Sequence, residues 1–344
     1  MRFSQHKEVA VLVLNWNGRT LLQQFLPSWL AHTPDYADLI IVDNGSTDDS
    51  VSFLQEHYRD VHLLAFEENL GFAGGYNRAI EELDYQTVIL LNSDVELTSG
   101  WLDQPMQLLN SSPEIAAVQP TLRAQRSPKD FEYAGAAGGF IDRLGYPFCR
   151  GRIFDTIEED RGQYADSVDL FWASGACLII RRAVYREVGG LDTLFFAHQE
   201  EIDLCWRLNA RGWRIVSAPQ SIVYHVGGAS LSADSPRKVF LNFRNNLLMI
   251  YKNLPAPTLH RVLFARMILD LVAMLVYLLR LRPGQAASVL KGWRCFLIKR
   301  QRYESTRQEN LKKTVLPISP ELMKPYSLLF QYYFKGRKRY SDLP

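Results

Sequence analysis

The amino-acid sequence predicts an α/β protein built on a doubly wound, mainly parallel sheet, and three stretches carry that prediction. Residues 9–14, 39–42 and 87–91 are short aliphatic runs, the pattern of strands that helices cover on both faces. Each run stops at a polar cluster: Asn15-Trp16-Asn17-Gly18, Asp43-Asn44-Gly45-Ser46-Thr47-Asp48 and Asn92-Ser93-Asp94. Between the first two runs, Leu22, Phe25, Leu26 and Trp29 recur at helical spacing, so strand and helix alternate. Open α/β sheets bind ligands beyond the carboxyl ends of their strands, which makes the three polar clusters the first candidates for a site.

Taken in order, the first strand turns at Asn15–Gly18 into a helix from residue 19 to 30. The second ends at Asp43, where Gly45 permits a tight turn and Ser46 or Thr47 can cap a helix opened by Asp48 and Asp49. Those two carboxylates suit a helix N-terminus, whereas Asp43 stands at the strand end itself. A third strand at 61–64 leads into a loop, Asn69-Leu70-Gly71-Phe72-Ala73-Gly74-Gly75-Tyr76-Asn77, that feeds a helix and can approach a phosphate. It matches neither a dinucleotide fingerprint nor a P-loop. After Asp94 the pattern predicts a helix from 98 or 99 to 109, a strand at 115–119, and a loop over 123–166 with a hairpin near Gly145. Strands follow on both sides of Ser174-Gly175, then a helix from Phe195 that stops at Gly212, and a strand at 222–224 ending in His225 and a Gly227-Gly228 turn.

A chain of 344 residues with 47% hydrophobic and 22% charged residues fits one large or two modest domains. Its net charge of +2 conceals a segregation. Residues 291–344 carry 13 Lys and Arg against 4 Asp and Glu, while the preceding 290 residues hold 26 against 33. A basic tail on an acidic body points to a polyanionic surface, and the absence of a recognisable nucleic-acid module favours a membrane. Residues 237–253 read as a basic amphipathic helix. In the apolar run 262–281, Arg266 and Asp270 leave only 271–279 uninterrupted, too short for a span. The helices are therefore expected to lie in the membrane surface or on the catalytic body. Cys149, Cys177, Cys205 and Cys295 show no metal or redox spacing, and residues 9–14 are too short for a signal peptide; a reduced, cytoplasmic protein is expected.

Asp94 and His225 offer a hard oxygen and an imidazole, a partial shell for a divalent cation that diphosphate oxygens and water would complete. Glu201 falls in the first turn of its helix, where the dipole favours the ionised form that a general base requires. The ordered set 13–18, 43–48, 69–77, 90–95, 174–177, 200–207 and His225 resembles a family 2 inverting glycosyltransferase of the rhamnosyltransferase-like branch, over about residues 8–230.

That resemblance implies the GT-A fold: a mixed, mainly parallel sheet flanked by helices, with a C-terminal helical extension. It implies a catalytic domain over 1–232, its nucleotide half at about 1–97 and acceptor half at 98–232, followed by a basic, membrane-associated extension at 233–344. Asn15, Asn17, Asp43, Gly74, Asn77, Asn92 and Ser93 would line the nucleotide. Asp94 and His225 would hold Mg²⁺ or Mn²⁺, and Trp172 and Gly175 would lie on the acceptor side. Asn92 stands where the family's D-x-D motif commonly has Asp, and Glu200-Glu201 where it commonly has Glu-Asp, so Glu201, Glu200 and Asp203 all stand as candidate bases. The implied reaction passes a sugar from a UDP- or dTDP-sugar to a lipid-linked or polysaccharide acceptor on the inner face of the cytoplasmic membrane, with no nucleic acid involved. A sugar-nucleotide nucleotidyltransferase and a non-catalytic glycan-binding or assembly subunit are the competing readings; the first lacks a basic phosphate loop after strand one.

Overall fold

A computed structural model describes residues 7–227 and 235–344. The expected turn at Gly228 and the domain boundary at 232/233 lie outside the described residues. The first half alternates: β1 (Val9–Asn15), α1 (Arg19–His32), β2 (Ala37–Asn44), α2 (Ser50–His57), β3 (His62–Phe66), α3 (Gly71–Glu82) and β4 (Thr87–Asn92). Then come β5 (Val95–Glu96), α4 (Asp103–Ser111), β6 (Ile115–Ala124) and β7 (Ser127–Phe131). Four short strands follow, β8 (Gly139–Asp142), β9 (Pro147–Cys149), β10 (Arg152–Ile153) and β11 (Thr156–Ile157). The chain returns through β12 (Cys177–Arg181), α5 (Arg182–Glu187), α6 (Glu200–Ala210) and β13 (Arg214–His225). It finishes with α7 (Pro236–Asn253), α8 (Ala256–Leu279), α9 (Pro283–Lys299), α10 (Glu304–Lys312) and β14 (Met323–Lys324).

The main sheet runs β3-β2-β1-β4-β12-β6-β13-β5. β3, β2, β1 and β4 are parallel, and β12 runs antiparallel to β4 and β6. Side-chain alternation builds a core on each face. Val9, Val11 and Val13 pack with Leu22, Phe25 and Trp29 of α1, while Ala10 and Leu12 pack with Ala73, Tyr76 and Ile80 of α3. The strand order reverses between β1 and β4, and at such a switch point the carboxyl ends open a crevice.

Several expectations are corrected. Residues 123–166 are not a loop: β8–β11 form a second sheet, with the expected hairpin joining β8 to β9. The strand expected before Ser174 makes only isolated bridges, at Asp169 and Trp172. Helix α4 starts at Asp103, and α6 starts only at Glu200, after a left-handed turn. Helix α7 turns Arg244, Asn245, Asn246 and Lys252 inward and buries Leu247–Ile250 in the core layer of α3. It is therefore part of the body and not a surface-seeking basic helix. Helix α8 spans 24 residues and is apolar enough, by length and composition alone, to cross a bilayer; Arg266 and Asp270 within it are buried.

Candidate active site

The three polar strand ends meet at the switch point. Asn15 Nδ2 donates to Asp43 Oδ1 (2.8 Å), and Asp43 also accepts from the Ser46 backbone N–H (3.0 Å) and hydroxyl (2.6 Å). Both side chains are buried. Asn17, at φ 49°, receives the Thr47 N–H on its side-chain oxygen (2.7 Å), which ties the β1 turn to the β2 turn. A Cβ on Gly75 would come within 2.6 Å of Leu14 Cδ1, so this glycine lets α3 sit close on β1. Sequence reasoning singled out Gly74, which is only half-buried on the same helix. Asn77 is corrected: its amide donates to the Leu191 carbonyl (2.7 Å) and accepts from the Leu191 N–H (3.0 Å) and the Tyr185 hydroxyl (2.5 Å). Those partners tie α3 to the Gly189-Gly190 turn and leave little capacity for a nucleotide.

At the end of β4, Asp94 Oδ1 lies 3.0 Å from His225 Nε2, and the Val226 N–H donates to the Asp94 carbonyl (3.1 Å). The other ring nitrogen, Nδ1, is 3.3 Å from Glu132 Oε1. Burial alone would lower the His225 pKa, but the Asp94 and Glu132 carboxylates overcome it and push it up to about 10. Sequence reasoning missed Glu132; it follows β7, in the stretch expected to be loop, and no pattern marks it.

Asn92 and Ser93 are half-buried between these groups. The Asn92 N–H donates to the Ala176 carbonyl (3.0 Å), which brings Gly175 alongside. A Cβ built on Gly175 would lie 3.8 Å from Glu201 Cβ and 3.3 Å from the Phe72 ring. Glu201 therefore joins the same crevice. The dipole expectation fails for its charge: burial pushes the Glu201 pKa up to about 7. Glu200 is buried, its Oε2 has no hydrogen-bond partner among the described residues, and burial followed by repulsion from Glu201 raises its pKa as well.

Two further candidates are corrected. Asp203 accepts from Lys252 (2.8 Å), Arg207 (3.1 Å) and Asn253 (2.9 Å), and these positive partners hold its pKa down against burial. With both oxygens engaged away from the crevice it is an anchor, not a base. Trp172 is buried against Gly139, and its indole N–H donates to the Phe140 carbonyl (2.9 Å), so it offers no acceptor surface.

A mixed sheet of this order with a crevice at its switch point, flanked by helices, has the architecture of the GT-A fold. Among solved structures the chain is similar to GalNAc-T7 with UDP, GalNAc and Mn²⁺ (TM-score 0.57, 14% identity), covering 74% of this chain and 49% of that one. It is also similar to a mannosyltransferase from Pyrobaculum calidifontis in complex with GDP-Man and Mn²⁺ (TM-score 0.52, 14% identity), covering 90% and 87%. These likenesses carry the fold. The sequence pattern described as Glycosyl transferase family 2 matches residues 10–189, and the chain belongs to that family. A curated relative, N-acetylglucosaminyl-diphospho-decaprenol L-rhamnosyltransferase of Mycobacterium tuberculosis, is 28% identical over 242 residues, 65% of this chain and 78% of the relative. The O-antigen biosynthesis protein RfbC of Myxococcus xanthus is 28% identical over 232 residues, 66% of this chain but 18% of that protein.

Proposed function

We propose that this enzyme moves rhamnose or another hexose from a UDP- or dTDP-sugar to a lipid-linked or polysaccharide acceptor in cell-surface glycan synthesis, with inversion. What supports the reading is the Asp94–His225 contact just beyond β4, together with Glu201 beside Gly175, whose neighbour Ala176 bonds to Asn92 of β4. The relatives' rhamnosyltransferase and O-antigen names support the chemistry, and residues 1–97 and 98–232 serve as nucleotide and acceptor halves.

Asn15 and Asp43 meet the base, with Asn17, Gly74, Asn92 and Ser93 along the nucleotide. Asp94 and His225, a hard oxygen and an imidazole, would hold Mg²⁺ or Mn²⁺ in place of the 3.0 Å contact they make with each other. Bound there, the ion supplies electrophilic stabilisation to the departing diphosphate. The His225 proton must leave for the ring to take that role. Glu201 accepts the proton of the acceptor hydroxyl, which attacks the anomeric carbon from the face opposite the nucleotide, through an oxocarbenium-like transition state. Glu200, kept protonated beside it, avoids a second buried charge.

The extension from 233 onward seats the enzyme on the inner face of the cytoplasmic membrane. One stripe of α8, Leu259, Val262, Arg266 and Asp270, packs on the body, while Phe264, Ile268, Val272, Leu275 and Leu279 face outward. Exposed Arg280, Lys291, Arg294 and Arg300 flank that apolar face, an arrangement suited to lying in an anionic interface. The test is Mn²⁺-dependent release of UDP or dTDP, lost by about 10²-fold or more in Asp94→Ala and Glu201→Gln. Binding without release in the native chain overturns the reading in favour of a scaffold. Sugar-nucleotide formation from a nucleoside triphosphate and a sugar phosphate overturns it in favour of a nucleotidyltransferase.

A further inference from the structure

The backbone just ahead of Glu200 is held in an unusual conformation. Phe196 (φ 67°), His198 (φ 71°) and Gln199 (φ 74°) all occupy positive φ, a region that non-glycine residues rarely adopt and that persists where the surroundings enforce it. None of the three is glycine, so the local sequence does not favour this path. What enforces it comes from α7. The Asn245 side chain is fully buried, and its Nδ2 lies within hydrogen-bond distance of three loop carbonyls, Phe195 (3.0 Å), Ala197 (2.9 Å) and His198 (2.7 Å), which share its two hydrogens. Arg244 Nη2 adds bonds to Phe195 (2.7 Å) and Leu194 (3.3 Å). Its Nε donates to Asn245 Oδ1 (2.7 Å), which fixes the amide with its NH₂ toward the loop. Asn246 Nδ2 reaches Gln199 Oε1 (3.2 Å) and the Gly145 carbonyl (2.8 Å), and Arg266 of α8 donates to Asn246 Oδ1.

We propose that Asn245, buttressed by Arg244, is a positioning residue for the Glu200–Glu201 pair. It holds residues 195–199 on a path with positive φ at 196, 198 and 199, and α6 consequently starts with Glu201 beside Gly175. Asn245 touches neither substrate nor the reacting atoms; it acts through the backbone. The amide geometry is specific to this role, since one NH₂ spans carbonyls that an ordinary helical path would use internally. The inference rests on reading Glu201 as the base.

The test uses the full chain carrying Asn245→Ala or Asn245→Asp. The second variant keeps the shape and the bond from Arg244 while removing the donors, and it serves if the first does not fold. Hydrogen exchange of the amides from 196 to 202 is followed by mass spectrometry, and turnover is measured with dTDP-rhamnose and a synthetic N-acetylglucosaminyl-diphospho-polyprenol. Exchange of that segment should quicken by at least about tenfold while protection of β1 and β4 stays unchanged. The kcat should fall by about 10²-fold, the cost of a misplaced catalytic group, with the donor KM within about threefold of the native value. Unchanged exchange in a folded variant overturns the proposal, as does faster exchange with native kcat, or a rise in KM alone. If the native chain releases no nucleotide with this pair, rhamnosyl transfer to this acceptor fails as the reading, and the exchange result still decides whether Asn245 holds the loop.

Discussion

Glu200 and Glu201 stand side by side at the head of α6, the first fully buried and the second half-buried, with no cation paired to either among the described residues. A base works only when ionised, and burial raises the Glu201 pKa to about 7. The kcat/KM profile should therefore rise with pH through about 7, tenfold per unit on its acid limb, and level off above it. A profile flat from about pH 5.5 to 8.5 would show that no buried carboxylate of this kind takes the proton. At this scale Asp43, Asp94 and His225 were legible because each ends a strand, a position fixed by local pattern. Asn77, Trp172 and Asp203 were not, because their roles depend on Leu191, Phe140 and Lys252, partners supplied by other parts of the fold. Glu132 had no signal in the sequence at all.

Between elements, the strongest polar tie joins α6 to α7. Lys252 is almost fully buried and donates to Asp203 (2.8 Å) and Asp192 (2.5 Å), while Asn253 and Arg207 complete the shell of Asp203. Removing one partner of such a network leaves an uncompensated charge in a low dielectric. Lys252→Met should cost about 3–5 kcal/mol, read from urea midpoints at unchanged m-value. A loss below about 1 kcal/mol would mean that water reaches the carboxylates. The alternating elements from β1 to β4 were readable because their hydrophobic period matches their structure. The second sheet was not, since β8–β11 are two to four residues long and β10 and β11 show no alternation. The start of α6 was misjudged because residues 195–199 carry nothing that announces positive φ; the bonds that impose it come from α7.

Over the whole molecule, exposed apolar side chains gather on α8 and on the following turn and α9, which packs against it, at Leu281, Leu290, Leu297 and Ile298. Exposed apolar surface of this kind marks an interaction surface. Leu275→Glu with Ile268→Glu should abolish co-sedimentation with vesicles of phosphatidylglycerol and phosphatidylethanolamine, leaving the melting temperature within about 2 °C. Undiminished vesicle binding would direct attention to another surface. The segregated basic tail was visible in the sequence; the inward turn of Arg266 and Asp270 was not, because it depends on Leu144, Tyr146 and Trp293.

The bonds from Asn245 reach back 47 to 50 residues, from beyond the last strand of the sheet to the loop before Glu200. During synthesis the strands and their crevice thus leave the ribosome before the segment that shapes the proton acceptor exists. A nascent chain at that stage could hold nucleotide sugar yet not consume it. On the proposed role of Glu201, competence would come only with α7.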